Sequence, residues 1–366
     1  MISNRVINYF KLLCVIAVML LWGVSLANGT VKALLLAVWH GELSHGIPLR
    51  RSYLGLSLLD LPISLLVAFF FYGTNSHDEG YQLFLVDAYS TLQSAFLWLY
   101  VEAARPGDKP VAFGLLWQCL GAAISLPLYY MMHLQWARSG DISRVRSSAE
   151  ASAIPWSYCL GALMPAAIAM GTTWLGSQSR DSDTHQLLLG LFQLDPVWVS
   201  VLQAGVPMLM AVIWPDSDAK FGRKRRKYSG NAYFWVRSSY LLAATASGLG
   251  HLYVMIRVIT SADKDSVGFV RMYVPFPFRG PAGVGGDVFV YGPWLFLQYD
   301  FIVISLSSLS WVYFLLTAPR PSNARGISAR ILIVCLFLGS IIFGPGATVS
   351  VALWYRESIL AGGGHA

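Results

Sequence analysis

Charge is scarce in this chain: Asp, Glu, Lys and Arg make up 12% of its 366 residues, against 55% hydrophobic residues and a mean hydropathy of +0.54. A soluble core of this size does not need that balance, so the composition excludes an ordinary soluble enzyme and a disordered chain alike. Cysteine is scarce as well. Cys14, Cys119, Cys159 and Cys335 all sit in apolar stretches with no C-x-x-C pair, which excludes a disulfide framework and a zinc site. Also missing are G-x-x-x-x-G-K-[ST], a dinucleotide glycine fingerprint, H-E-x-x-H and G-x-S-x-G. Nucleotide, zinc-protease and esterase chemistry therefore have no support.

What the chain does have is long apolar runs. They lie near residues 10–28, 54–73, 82–102, 111–134, 153–176, 191–214, 232–256, 289–318 and 330–355, each long enough to cross a bilayer, which takes about 17–25 residues. The fold expected is all-α: a polytopic transmembrane helix bundle of about eight or nine spans. The piece from Val31 to His40 is too short to cross and reads as interfacial or re-entrant. The first run follows Arg5 and Lys11, and its length favours a retained span over a cleaved signal peptide. No repeat and no long linker interrupts the chain, so residues 1–366 read as a single membrane domain.

The formal net charge is +7, and its densest piece, Arg223-Lys224-Arg225-Arg226-Lys227, joins two apolar runs. That placement reads as a cytosolic loop against an anionic leaflet rather than a nucleic-acid contact. The wider Lys/Arg distribution modestly favours a cytosolic N-terminus.

Against this background the intramembrane acids stand out. Asp60, Glu102, Asp195 and Asp300 lie inside or at the ends of apolar runs, where an ionised carboxyl costs roughly 2.5–3.5 kcal/mol on insertion scales, so several in one bundle suggest a polar site. With nine spans and a cytosolic N-terminus, these four and His251 fall in the non-cytosolic half, and Asp87 falls in the other. Asp300 has no basic residue within four positions and must be neutral or meet a partner from another span. Glu102 reads either as an ion pair with Arg105 at i+3 or as a carboxyl facing a cavity with Trp98 a turn earlier. Asp60 precedes Leu61-Pro62 and Asp195 precedes Pro196, so a helix-start role stands beside a catalytic one for each. His251 follows Gly248-Leu249-Gly250 and reads first as a hydrogen-bonded core histidine.

Rings are plentiful at the level of the acids: Trp98, Tyr100, Tyr129, Tyr130, Trp198, Trp294, Phe296 and Tyr299. Packing and interface belts account for most such rings; those facing a cavity would stabilise a carbocation by about 0.5–2 kcal/mol each. The long connection from Ser261 to Val288, rich in Pro and Gly, reads as a lid over the same half. Metal chemistry has little to rest on. Asp181-Ser182-Asp183 and Asp216-Ser217-Asp218 make no Asp-rich diphosphate box, and His40-Gly41-Glu42-Leu43-Ser44-His45 is loosely spaced.

Three stretches carry a family resemblance: Glu102 with Arg105-Pro106-Gly107-Asp108-Lys109, the run Leu126-Pro127-Leu128-Tyr129-Tyr130-Met131-Met132-His133-Leu134, and Phe296-Leu297-Gln298-Tyr299-Asp300. Over about residues 85–318 the chain resembles the fungal integral-membrane terpene cyclases of meroterpenoid biosynthesis. The resemblance implies an enzyme that protonates a terminal epoxide or alkene on a prenylated, for example farnesylated, aromatic or polyketide precursor, without metal, cofactor or diphosphate loss. It also implies a multi-pass protein, in the endoplasmic reticulum, working in secondary metabolism. The partners expected are a hydrophobic prenylated substrate and the lipid bilayer, with no nucleic acid.

Taken with the residues themselves, this makes Glu102, Asp300, Asp60 and Asp195 the candidate catalytic acids, with Glu102 and Asp300 foremost. Trp98, Tyr129, Tyr130, Trp198, His251, Trp294 and Tyr299 are the candidate substrate contacts, and no metal site is expected. A transporter or lipid-binding receptor using the same acids, and a membrane double-bond isomerase, are the alternative readings.

Overall fold

A computed structural model describes residues 3–103, 105, 110–139, 148–171, 180–213, 230–277, 286–318 and 328–362. Those residues are helical apart from short connections, with one isolated bridge between Glu42 and Pro48 and no strand among them. The reason is general: in hydrocarbon a backbone must satisfy its own hydrogen bonds, and a helix does so within one segment. In chain order the helices are α1 (Asn4–Ala27), α2 (Thr30–His40), α3 (Ser57–Thr74), α4 (Glu79–Ala103), α5 (Pro110–Leu120), α6 (Ala122–Ser139) and α7 (Ser148–Met170). They continue with α8 (Ser182–Phe192), α9 (Asp195–Ile213), α10 (Gly230–Thr260), the short α11 (Phe269–Tyr273), α12 (Val288–Thr317), α13 (Ala329–Ile342) and α14 (Pro345–Gly362). Their ends follow local chemistry: the Asp287 carboxylate accepts from the Phe289 amide at the start of α12, and Gly41, at φ 74°, closes α2.

Among the described residues five helices, α1, α3, α7, α10 and α12, are long and apolar enough to cross a membrane, and α8 with α9 makes a sixth candidate bent by 54°. Two of the apolar runs are not the single spans that the sequence suggests. Residues 330–355 divide into α13 and α14 at Phe343-Gly344, where Gly344 has φ +84°. Residues 111–134 divide into α5 and α6 at Gly121, φ +98°.

The second break changes the topology. Helix α4 is central, and α10 runs antiparallel to it: Asp87 meets His251 at 2.8 Å, the Ser94 hydroxyl reaches the Ala243 carbonyl at 3.2 Å, and Glu102 meets the Tyr240 hydroxyl at 2.9 Å. Helix α12 runs with α4, with Trp294 stacked on Tyr81 and Trp311 beside Trp98. Helix α6 follows α12, from Ala123 at Asp300 to His133 at Trp311. Helix α5 lies back along α6, with Phe113 against Tyr129 at 5.1 Å. The α5–α6 pair is thus a hairpin that opens at the Glu102 end of α4, with its tip at Asp300, part-way along α12. A continuous span at 111–134 would make α4 and α10 run the same way and would put Asp87 and His251 in opposite halves; the hairpin brings them into contact.

The segment between α1 and α4 also returns to where it starts. Asn28 meets the Tyr291 hydroxyl near the beginning of α12, and Asp78 is paired with Arg271 just before that same helix end.

Gly121 occupies a backbone region that side chains rarely adopt, and a Cβ there would lie 2.7 Å from Leu21 Cδ2 and 3.3 Å from Asp300 Oδ1. Gly121→Ala is expected to destabilise the fold by roughly 1–3 kcal/mol. A lower midpoint in thermal unfolding of the detergent-solubilised protein would show it; an unchanged midpoint would mean that the hairpin tip tolerates a side chain.

Candidate active site

Two buried apolar clusters make up the interior, one around α1, α4, α6, α12 and α14, the other around α2, α3, α4, α8 and α12. Leu92 packs against both. Beside it lies a cavity of about 380 Å³, within the range of about 300–1,000 Å³ usual for small-molecule sites. Its walls are aromatic: Trp22 from α1, Phe69 and Phe70 from α3, Tyr89 and Phe96 from α4, Trp117 from α5, Phe192 from α8 and Phe296 from α12. Phe296 meets Trp22 at 6.0 Å and Phe69 at 5.3 Å, edge to face in both cases.

Two carboxyls, Asp195 and Asp300, border this cavity, and among the described residues no Lys, Arg or His does. Both are tied to the hairpin. Its break at Gly121 leaves the first amides of α6 without partners inside the helix, and one of them, Ala123 N–H, donates to Asp300 Oδ1 at 2.7 Å. On the other side of the break the Trp22 indole donates to the Leu120 carbonyl at 2.9 Å, and Gln118, two residues earlier, donates to Asp195 Oδ1 at 2.9 Å. Gln93 Oε1 is buried without a hydrogen-bond partner, and Gln93 lines the cavity. Gly121 lets the tip approach Asp300, as its missing Cβ shows.

The other candidate acids lie elsewhere. Glu102, 1% exposed, is the hub of a buried ion network. Its Oε2 lies 3.0 Å from the Arg105 Nε as an ion pair and accepts from His133 at 2.9 Å, and its Oε1 accepts from Tyr240 and Arg356, both at 2.9 Å. Arg105 is also paired with Glu357. The Trp311 indole donates to His133 Nδ1 at 3.2 Å, so Nδ1 is the acceptor and Nε2 carries the proton given to Glu102. Glu102 is not among the residues that line the cavity. Asp60 accepts from the Tyr53 and Leu54 amides at 3.1 and 2.7 Å and borders a separate open groove.

None of the seven candidate substrate contacts lines the cavity. Trp98 donates to Ser350, Tyr130 stacks on Trp311, and Tyr129 packs on Phe113 and His133. His251 is held by Asp87 and the Ile341 carbonyl. Trp294 is stacked on Tyr81 under the Arg271 guanidinium. Trp198 is partly exposed and donates to the Leu191 carbonyl, and Tyr299 is buried. Phe296, one of the rings noted at the acid level, does line it. Between Ser261 and Val288, the Met272 side chain is buried and Tyr273 donates to Asp87 at 2.6 Å. None of that connection's described residues borders the cavity; residues 278–285, like the 223–227 cluster, Asp216 and Asp218, lie outside the described residues. Among the described residues no three His, Cys, Asp or Glu side chains gather in a way that would hold a metal ion.

Residues 7–361 match the model of the CtvD domain. The chain belongs to the CtvD family. It is 30% identical over 363 residues to "Terpene cyclase DEP1" of Alternaria brassicicola and 28% identical over 359 residues to the protein of the same name from Fusarium langsethiae, covering 92% of this chain and 94% of the relative in both cases. It is also 26% identical over 354 residues to "Terpene cyclase alnG" of Emericella nidulans, covering 92% of this chain and 89% of that protein. No solved structure matches. The CtvD match extends well beyond residues 85–318. It takes in α1, α2 and α3, the helices that supply Trp22, Leu34, Phe69 and Phe70 to the cavity wall.

Proposed function

We propose that this protein is a multi-pass membrane terpene cyclase that closes rings on a prenylated aromatic precursor by protonating its terminal epoxide. The observation that carries the reading is an aromatic-walled cavity with two carboxyls and, among the described residues, no cation on its surface. Without a cation to balance them, the two carboxyls differ in their hydrogen bonds, one backbone amide at Asp300 and the Gln118 side-chain amide at Asp195. Relatives along nearly the whole chain carry the name terpene cyclase.

The chemistry then divides between the two acids. Asp300, held by a single backbone amide, gives its proton to the epoxide oxygen. The C–O bond breaks, internal alkenes attack in turn, and a C–H proton of the last cation passes to Asp195, which the Gln118 amide favours as an acceptor. One proton enters and one leaves, so formula is conserved, and return of the proton from Asp195 to Asp300 across the emptied cavity restores the acid for the next turnover. The new hydroxyl donates to the unpartnered Gln93 Oε1. Each ring facing the passing cation contributes about 0.5–2 kcal/mol.

The test is turnover of a farnesylated phenol terminal epoxide by membranes holding only this protein, in excess EDTA, with ring count read by NMR. Polycyclic isomers support the proposal. An acyclic isomer would point instead to a double-bond isomerase, and unchanged substrate would leave a carrier or receptor.

The helix directions support about eight crossings: α1, α4, α7, the α8–α9 pair, α10, α12, α13 and α14. The α2–α3 segment and the α5–α6 hairpin each return to the side from which they enter. The start of α1, the end of α9, the start of α10 and the end of α14 then share one side, which the basic residues of the sequence assign to the cytosol, with the endoplasmic reticulum as the membrane. Single cysteines placed at Lys220 and Lys264 are expected to react with impermeant reagent from opposite sides; labelling of both from one side would overturn this topology.

A further inference from the structure

An open groove of about 980 Å³ lies on the other side of α2 and α3 from the cavity. We propose that it is a second subsite, which takes the hydroxylated aromatic head of the substrate while the prenyl chain lies in the cavity. The proposal rests on the cyclase reading for the identity of the chain, and on its own geometry for the head.

Only one layer of side chains separates the two spaces. Leu35 lines both, and along α3 the residues alternate, with Leu61 and Ser64 bordering the groove and Pro62 and Leu65 bordering the cavity. A molecule with a chain in one space and a polar head in the other therefore needs only to pass the α2–α3 seam.

The groove's polar groups select the head. Arg51 lines it, and its guanidinium is seated over Gly41, whose absent Cβ would lie 3.1 Å from Cζ; one nitrogen donates to the Trp39 carbonyl at 3.3 Å. No acid is paired with Arg51 among the described residues, so its other N–H groups are available to an acceptor. Asp60 faces the same groove, already oriented by backbone amides, and offers an acceptor. Trp39, 79% exposed, offers a ring face. A donor, an acceptor and an indole suit an aromatic ring with neighbouring hydroxyl and carbonyl groups. They do not suit a lipid phosphodiester, which has no proton for Asp60 and carries charge of the same sign.

The experiment measures binding in nanodiscs for two ligands with the same prenyl chain, one bearing a hydroxy-carbonyl aromatic head and one with that head replaced by methyl. The native protein is expected to prefer the headed ligand. Arg51→Gln should weaken it by about ten- to a hundredfold, the worth of one charge-assisted hydrogen bond, and leave the headless ligand within about threefold. Trp39→Ala, a change at an exposed ring, should weaken the headed ligand by about three- to tenfold and provides the same comparison if Arg51→Gln does not accumulate. Equal losses for both ligands, no loss for either, or displacement of the headed ligand by phosphatidylglycerol would overturn the subsite. If the expected pattern holds but neither ligand is cyclised, the subsite stands and the cyclase reading fails. If the headed ligand is cyclised but neither substitution discriminates between the ligands, the reverse is true.

Discussion

Asp300→Asn is expected to cut cyclisation by at least about a hundredfold, the lower end of what a positioned acid contributes, and Asp195→Asn to do the same. Both changes keep size and remove the transferable proton or the proton acceptor. In the Asp300→Asn protein the side-chain carboxamide oxygen would still accept the Ala123 amide, so the hairpin tip keeps its contact and the loss reads on chemistry. Turnover must be compared at matched amounts of folded protein, with Asp87→Asn alongside. Asp87 is buried like the other two but is spent on His251 and Tyr273, away from the cavity. Normal turnover by the Asp195 and Asp300 variants, with a dead Asp87 variant, would move the site to the Asp87, His251 and Tyr273 cluster on another face of α4.

Glu102→Gln should behave differently: it should cost folded protein rather than chemistry. In the buried network Glu102 and Glu357 face Arg105 and Arg356. Removing one carboxylate leaves a guanidinium buried without balance, which costs about 3–5 kcal/mol. The monodisperse fraction in size-exclusion chromatography should collapse, while turnover per folded molecule stays within about threefold. Adding Arg356→Gln restores neutrality, with Arg105 and Glu357 still paired, and should recover part of the folded fraction, a coupling that a double-mutant cycle measures. A well-folded but inactive Glu102→Gln protein would mean that this network takes part in the reaction after all.

The contrast between these two carboxyls shows what a linear sequence carries. Asp300 is legible because its immediate neighbours offer no cation, so whatever satisfies it must be remote and special. Glu102 is not, because the ion pair with Arg105 is local whereas His133, Tyr240 and Arg356 come from α6, α10 and α14. The rings show the same limit. Phe96 and Trp98 stand two positions apart on α4, which turns their side chains to different faces of the helix. Phe96 looks into the cavity, and Trp98 is hydrogen-bonded to Ser350 on α14. Choosing between them requires knowing which neighbour covers which face, and hydropathy does not say.

The helical class and the apolar runs follow from composition alone. The break at Gly121 does not, because apolar residues continue on both sides and a glycine inside a span is ordinary in membranes. Only the positive φ turns this glycine into a reversal of the chain, and that reversal is what sets α10 antiparallel to α4.

A hairpin whose tip lies among other helices also constrains how the protein is made. An ordinary span can be released into lipid as soon as it is synthesised, since its backbone needs nothing from later residues. The tip of α5–α6 carries amides outside any helical ladder, and one of them finds its acceptor on Asp300, 177 residues further along the chain. Until α12 emerges from the ribosome that amide has no partner in hydrocarbon, where an unsatisfied polar group costs several kcal/mol. The carboxyl proposed as the acid is thus also the last fastening of an early segment, and a nascent chain stopped before α12 should leave α5–α6 open to membrane proteases.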